Sequence, residues 1–94
     1  MWRTVAHNAD MNSKQRQRRL DQTRLTFANN VRTLRMRKQW TQAELADQLG
    51  ISRATMNRIE VALFQPRFAE ACLIADLLGV SISAMRSDLE QSDE

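Results

Sequence analysis

Residues 41–60 read TQAELADQLGISRATMNRIE, and this stretch decides the fold. Thr41 and Glu44 have the spacing of a capping box, in which each side chain bonds the backbone N–H of the other residue at the start of a helix. Gly50 is suited to end that helix, because glycine adopts the left-handed backbone conformation at little cost. Ser52 can then cap a second helix almost at once. Two short helices joined by so tight a turn form a helix-turn-helix.

The residues on either side of this unit predict an all-α domain. Thr26 can cap a first helix, and Pro66 precedes a fourth helix that ends at Gly79. Ser81 can cap a short fifth helix that runs to about Leu89. No window alternates apolar and polar residues, so no strand is predicted. The predicted architecture is a compact five-helix bundle, and the apolar stripe of its first helix consists of Phe27, Val31 and Leu34.

Basic and acidic residues are unevenly distributed along the chain. The formal charge is +3, but residues 1–38 carry ten Lys or Arg and two acids, whereas residues 39–94 carry four Arg and nine acids. A strongly basic end favours an anionic partner, nucleic acid first and a membrane surface second, although a solvated tail would have the same charge. Residues 13–22 could form a helix, but Leu20 is their only apolar anchor. We expect three segments: a basic, mostly flexible N-terminal arm (1–25), the helix-turn-helix domain (26–87) and an acidic C-terminal tail (88–94).

Several classes of protein do not fit the composition. The longest apolar run, residues 71–75, is far shorter than the roughly 20 residues of a membrane span, and the N-terminus lacks the apolar core of a secretion signal. With Cys72 as the only cysteine and His7 as the only histidine, neither a disulfide nor a metal site is expected. Cys72 falls at an apolar position of the fourth helix and should be a buried, inert thiol. We expect a cytoplasmic protein that is not an enzyme, uses no cofactor and has no membrane partner.

Several short motifs resemble the Xre/Cro-type helix-turn-helix domain of phage repressors, and they follow one another in register over residues 27–85. The resemblance implies a lambda-repressor-like DNA-binding domain whose third helix lies in the major groove of double-stranded DNA. It also implies a sequence-specific transcriptional regulator, in most cases a repressor, of bacterial or phage origin. The motifs are VRTLR at 31–35, TQAELA at 41–46, GIS at 50–52, IE at 59–60, Pro66, IA at 74–75 and LGVS at 78–81.

The outer face of the third helix carries the residues expected to contact DNA. Met56 and Ile59 turn inward, which leaves side chains of the types that contact base edges and phosphates on the outside. Arg58 could also be an ordinary solvated charge, and Ala54 can offer only a methyl contact to thymine. The resemblance implies base reading by Arg53, Ala54 and Arg58, and we add Asn57, which lies beside Arg58. It implies phosphate contacts by Gln42 and Thr55, and Arg67, just before the fourth helix on the same face, is a further candidate.

The resemblance implies two further roles, and the sequence departs from the family at two positions. Gln42 matches a glutamine that also orients the first base-reading side chain. Arg35 and Glu60 match a structural salt bridge between the first and third helices. Ala62 stands where family members commonly have glycine, and Gln39 where they often do. Because alanine adopts a positive φ only at a cost, we expect the third helix to run on or to end differently.

Partner proteins are indicated by an apolar patch and by a second resemblance. The patch begins on the fourth helix, where the family usually has polar or small residues, and it favours a two-fold dimer with recognition helices about 34 Å apart. A slight rotation of the fourth helix would bury the patch instead. The stretch from Phe27 to Gln42 resembles antitoxins of the kinase-inhibiting type, so the alternative function is an antitoxin that binds a toxin protein and represses its own operon. The patch residues are Leu73, Leu77, Val80 and Ile82.

Overall fold

The computed structural model describes residues 11–89, which form four α-helices followed by a 3-10 turn. These residues contain no strand, and the all-α prediction is confirmed. No helix within this range is both long and apolar enough to cross a membrane. The elements are α1 (Ser13–Arg37), α2 (Gln42–Leu49), α3 (Arg53–Glu60), α4 (Phe68–Leu78) and the 3-10 turn (Ala84–Arg86).

Helix α1 begins well before the predicted start, so the assignment of Thr26 as its cap is wrong. Asn12 is the cap: its side chain accepts from the N–H of Gln15 at 2.8 Å, and the Gln15 side chain accepts from the N–H of Asn12 at 3.0 Å. Residues 13–25, predicted to be mostly flexible, are therefore helical, while residues 1–10 of the predicted arm lie outside the described part. Leu20 is 49% exposed and finds no core to pack on, which is why apolar periodicity gave no signal there.

The hydrophobic core takes side chains from every element. Each of the four helices and the 3-10 turn contributes one of the largest completely buried residues, and full burial of such a side chain is worth about 1.5–3 kcal/mol. The core therefore fixes the helix-turn-helix against both α1 and α4. The five residues are Val31, Leu45, Met56, Ile74 and Met85.

Each of the four helices is followed by a residue with a positive φ. Gly50 (φ 70°) and Gly79 (φ 81°) directly follow α2 and α4 as predicted, whereas Gln39 (φ 61°) and Ala62 (φ 63°) lie one residue further on, after the right-handed Lys38 that follows α1 and after Val61 that follows α3. At Ala62 the next N–H, that of Leu63, donates to the carbonyl of Arg58 at 2.8 Å, which closes the turn. Helix α3 therefore ends at Glu60 and does not run on, and Ala62 adopts the positive φ that a glycine would, so the expectation that the alanine changes the end of the helix is wrong.

The predicted fifth helix is only a single turn within the described residues. Ser81 Oγ accepts from the N–H of Ala84 at 3.1 Å, as a capping serine would. The backbone of Ser87 is extended, with φ −108° and ψ 156°, and this ends the turn. Cys72 is also less buried than predicted: it is half-buried, because it lies on α4 one position beyond the buried Ala71, at the edge of the core face.

Candidate nucleic-acid interface

The outer face of α3 is exposed, while its inner face is held in the core. Arg53 and Ala54 lie one turn before Asn57 and Arg58, so the four residues share one side of the helix, and all four are exposed. On the opposite side, Met56 and Ile59 are buried. The structure therefore brings together the four residues to which base reading was assigned.

The start of α3 is fixed by two short hydrogen bonds of Ser52. Its Oγ accepts from the backbone N–H of Thr55 at 3.0 Å and donates to the Thr55 hydroxyl at 2.9 Å. Thr55 is half-buried, but the hydroxyl it offers retains its own hydrogen as a donor. These bonds fix the backbone at the N-terminus of α3, where Arg53 is the first helical residue.

Arg35 and Glu60 form an ion pair between α1 and α3. Arg35 Nε donates to Glu60 Oε2 at 2.6 Å and Arg35 Nη2 donates to Glu60 Oε1 at 3.0 Å. A third bond, from Arg35 Nη1 to the carbonyl of Trp40 at 2.7 Å, ties the pair to the segment that enters α2. Because the side chain of Glu60 is only 1% exposed, this charge is held by the protein and is not available to DNA.

Gln42, the first residue of α2, has a different contact from the one expected. Its Nε2 donates to Glu60 Oε1 at 3.1 Å and to Asn57 Oδ1 at 3.1 Å. The amide therefore bonds the fifth residue of α3, and not Arg53, the first base-reading side chain. Both amide hydrogens are engaged, so in this arrangement neither is available for a phosphate oxygen. Sequence reasoning missed this contact because the family pattern indicates a partner at the start of the recognition helix.

Arg67 lies at the start of α4, as the phosphate assignment requires. Its side chain is exposed, and its backbone N–H donates to the carboxylate of Glu70 at 3.0 Å. Three of the four arginines in the acidic part of the chain are therefore exposed on α3 or at the start of α4, namely Arg53, Arg58 and Arg67.

The apolar patch predicted on α4 is only partly exposed. Leu73 is 45% exposed, whereas the other three residues are half-buried and pack against the core of their own chain. The two most exposed large apolar side chains of the described residues are instead Leu63, on the connection from α3, and Phe68, at the start of α4. The half-buried patch residues are Leu77, Val80 and Ile82, and the additional exposed side chains are Val61, Leu63, Phe64 and Phe68.

Comparison with known proteins places the chain in a family. A family model described as "Helix-turn-helix" matches residues 31–85, which is more than half of the chain. The chain therefore belongs to the Xre/Cro-type helix-turn-helix family. It is a DNA-binding helix-turn-helix protein of the transcription-regulator class. Neither the curated proteins nor the solved structures compared with the chain gave a match.

Proposed function

We propose that the protein is a sequence-specific transcriptional repressor that places α3 in the major groove of double-stranded DNA. The observation that carries the proposal is the division of α3 into a buried face and an exposed face of four contiguous side chains. Because the buried face is fixed by the core, α3 approaches a groove as a rigid helix with these four positions on one side. Repression follows if the bound protein covers a promoter.

The outer side chains of α3 suit the edges of bases. Arg53 can donate two hydrogen bonds to the O6 and N7 of guanine, a contact worth about 1–3 kcal/mol of discrimination. Ala54 can contact the methyl group of thymine, and Arg58 lies one turn further along the helix. Thr55 and Arg67 would bond phosphates on either side and so hold α3 in register.

We further propose that the protein binds as a homodimer through the patch that begins at Leu73. The exposed part of Leu73 supports a contact there, because Leu73 and the exposed Phe64 both line one apolar pocket. A two-fold dimer would present two copies of α3 to successive major grooves. Sedimentation equilibrium tests this: Leu73→Asp should give monomers, whereas Leu25→Asp, at an exposed leucine of α1, should leave the mass unchanged. A wild-type protein that is monomeric both free and on DNA would contradict the dimer.

An antitoxin is the second candidate function. Leu63 and Phe68 are 79% and 75% exposed. Large apolar side chains left this open to water are typical of a surface that binds another protein. The test is co-expression with the neighbouring gene. Co-purification of the two proteins, together with neutralisation of a toxic gene product, would support the antitoxin function. If no complex forms, the antitoxin function is wrong and only the repressor function remains.

The experiment that tests DNA reading is selection of bound duplexes from a random pool at a fixed salt concentration. We expect enrichment of a palindrome whose half-sites are centred about 10 base pairs apart. The matched variant is Arg53→Ala, which should enrich the same site but show no base preference at one position of each half-site. A wild-type pool that remains random after repeated rounds would contradict the proposed function.

A further inference from the structure

Four polar side chains connect the buried ion pair to the exposed face of α3. Arg35 donates to Glu60, Gln42 donates to Glu60 and to Asn57, and every bond is between 2.6 and 3.1 Å long. This chain of bonds starts at the half-buried Arg35, passes through the buried Glu60 and ends at Asn57 on the base-reading face. Arg35 can only donate and the Glu60 carboxylate it pairs with can only accept, and it is this carboxylate that fixes the direction of the later bonds.

The orientation of the Gln42 amide follows from the carboxylate it contacts. Glu60 is paired with Arg35 and has two oxygens that can only accept hydrogen bonds. The atom of Gln42 that faces Glu60 must therefore be the nitrogen, and the amide oxygen must point the other way. Because both amide hydrogens already have acceptors, the Gln42 side chain has no free donor for a phosphate in this state.

The orientation of Asn57 follows in turn from Gln42. The second hydrogen of the Gln42 amide is directed at Asn57, so the facing atom of Asn57 must be its oxygen. The Asn57 nitrogen, with both of its hydrogens, is left on the exposed side of α3. An asparagine on a surface ordinarily alternates between two orientations of its amide group. Here one of the two would place an N–H of Asn57 against an N–H of Gln42, so the other is favoured.

We propose that Asn57 presents a fixed hydrogen-bond donor to the base that it meets, and that Gln42 is the positioning residue that imposes this orientation. The proposal rests on the proposed function, in which α3 reads DNA. In the major groove, guanine offers two acceptor atoms, and adenine (N7) and thymine (O4) each offer one. Cytosine offers an amino group, which is a donor. Asn57 therefore selects against cytosine at one position of each half-site.

The test compares binding to the selected site with binding to its single-base variants. For the wild type we expect cytosine at the Asn57 position to weaken binding about tenfold or more. Asn57→Asp keeps an oxygen for Gln42 but replaces the outward donor by a second acceptor, so the preferred base at this position should become cytosine. Gln42→Met keeps a side chain of similar length without the amide, and should reduce discrimination at this position alone. The matched control is Gln48→Met, at an exposed glutamine of α2, which should change no preference.

The outcomes separate this proposal from the proposed function. If the wild type enriches a site but Asn57→Asp keeps the same preference at every position, the fixed donor is wrong while DNA reading stands. If Asn57→Asp shifts the preference but Gln42→Met retains full discrimination, the positioning role of Gln42 is wrong. If the wild type enriches nothing, the proposed function fails and this inference with it. Preferences are ratios within one protein sample, and Asn57 is exposed, so a change in stability does not mimic the expected switch.

Discussion

Arg35 and Glu60 lie 25 positions apart in the chain and are joined by two hydrogen bonds, of 2.6 and 3.0 Å, between their side chains. The pair links the end of α1 to the end of α3. Exposure of the Arg35 side chain is 12%, so neither charge is well solvated. Such a pair need not add stability compared with apolar residues, but removal of one partner leaves a buried charge that nothing compensates.

Removal of the carboxylate alone should therefore be costly. We expect Glu60→Leu to lower the free energy of unfolding by about 3 kcal/mol, measured by urea denaturation followed by circular dichroism. Addition of Arg35→Met should restore much of the loss, because the buried charge is then gone. The control is Asp21→Asn, at the exposed pair with Arg24, where a change below about 0.5 kcal/mol is expected. Similarly small changes in the free energy of unfolding at both sites would show that the Arg35–Glu60 pair behaves like an exposed ion pair.

Asn30 should be a second sensitive position. It is 3% exposed, and its Nδ2 donates to the carbonyls of Met85 and Ser87 at 2.9 and 2.8 Å, which fastens the 3-10 turn to α1. Asn30→Ala leaves the buried carbonyl of Met85 and the part-buried carbonyl of Ser87 without this donor, and should cost about 2 kcal/mol. Asn30→Asp should cost more, because it places a carboxylate against the same carbonyls. Thermal unfolding of both variants beside Asn29→Ala, at the exposed neighbour, checks the effect; equal midpoints for all three would contradict it.

Local signals were read where an apolar helix accompanies them, and of the longer contacts only the Arg35–Glu60 pair was predicted, from the family resemblance. The box of Thr41 and Glu44 was recognised because an apolar helix follows it, whereas the same kind of box at Asn12 and Gln15 was missed because residues 13–25 have no apolar face to bury. The bonds of Asn30 span more than 50 positions, and they depend on how the helices pack.

The candidate site was predictable to the extent that helical spacing decides it. Spacing alone places Arg53, Ala54, Asn57 and Arg58 on one face. The Gln42–Asn57 contact spans 15 positions and depends on the crossing of α2 and α3, for which the sequence offers no local signal.

Ala62 offers a test of backbone strain. Its φ of 63° costs a residue with a Cβ about 1–2 kcal/mol, whereas glycine pays mainly in the entropy of the unfolded chain. We expect Ala62→Gly to raise the free energy of unfolding by about 0.5–1 kcal/mol. Gly79→Ala makes the reverse change at the residue of positive φ that follows α4, where φ is 81°, and should lower the free energy of unfolding by a similar amount. Changes of the same sign in both variants would show that local packing, and not φ, decides stability here.

Arg53 and Arg67 should differ in how they affect DNA binding. Arg53→Ala removes a base contact, so we expect a loss of about 1–3 kcal/mol on the preferred site and little loss on sites that already carry another base there. Arg67→Ala removes a phosphate contact, so affinity should fall to a similar degree on all sequences, with a shallower dependence on salt. Titrations of the selected site and its single-base variants at several salt concentrations distinguish the two. A uniform loss for Arg53→Ala would contradict its assignment to base reading.

The basic start of α1 should contribute little to specific binding. Helical rise separates Arg16 from Arg35 by about 28 Å along the axis, several times the Debye length of roughly 8–10 Å at physiological salt. Arg35 contacts α3, so these early cations are remote from the base-reading face. The triple variant Arg16→Gln, Arg18→Gln and Arg19→Gln keeps helix propensity, since glutamine and arginine are similar helix formers. We expect it to retain both the base preference and the slope of log affinity against log salt. A slope that falls by about 2–3 would show instead that α1 reaches phosphates, since each lost contact changes the slope by about 0.9.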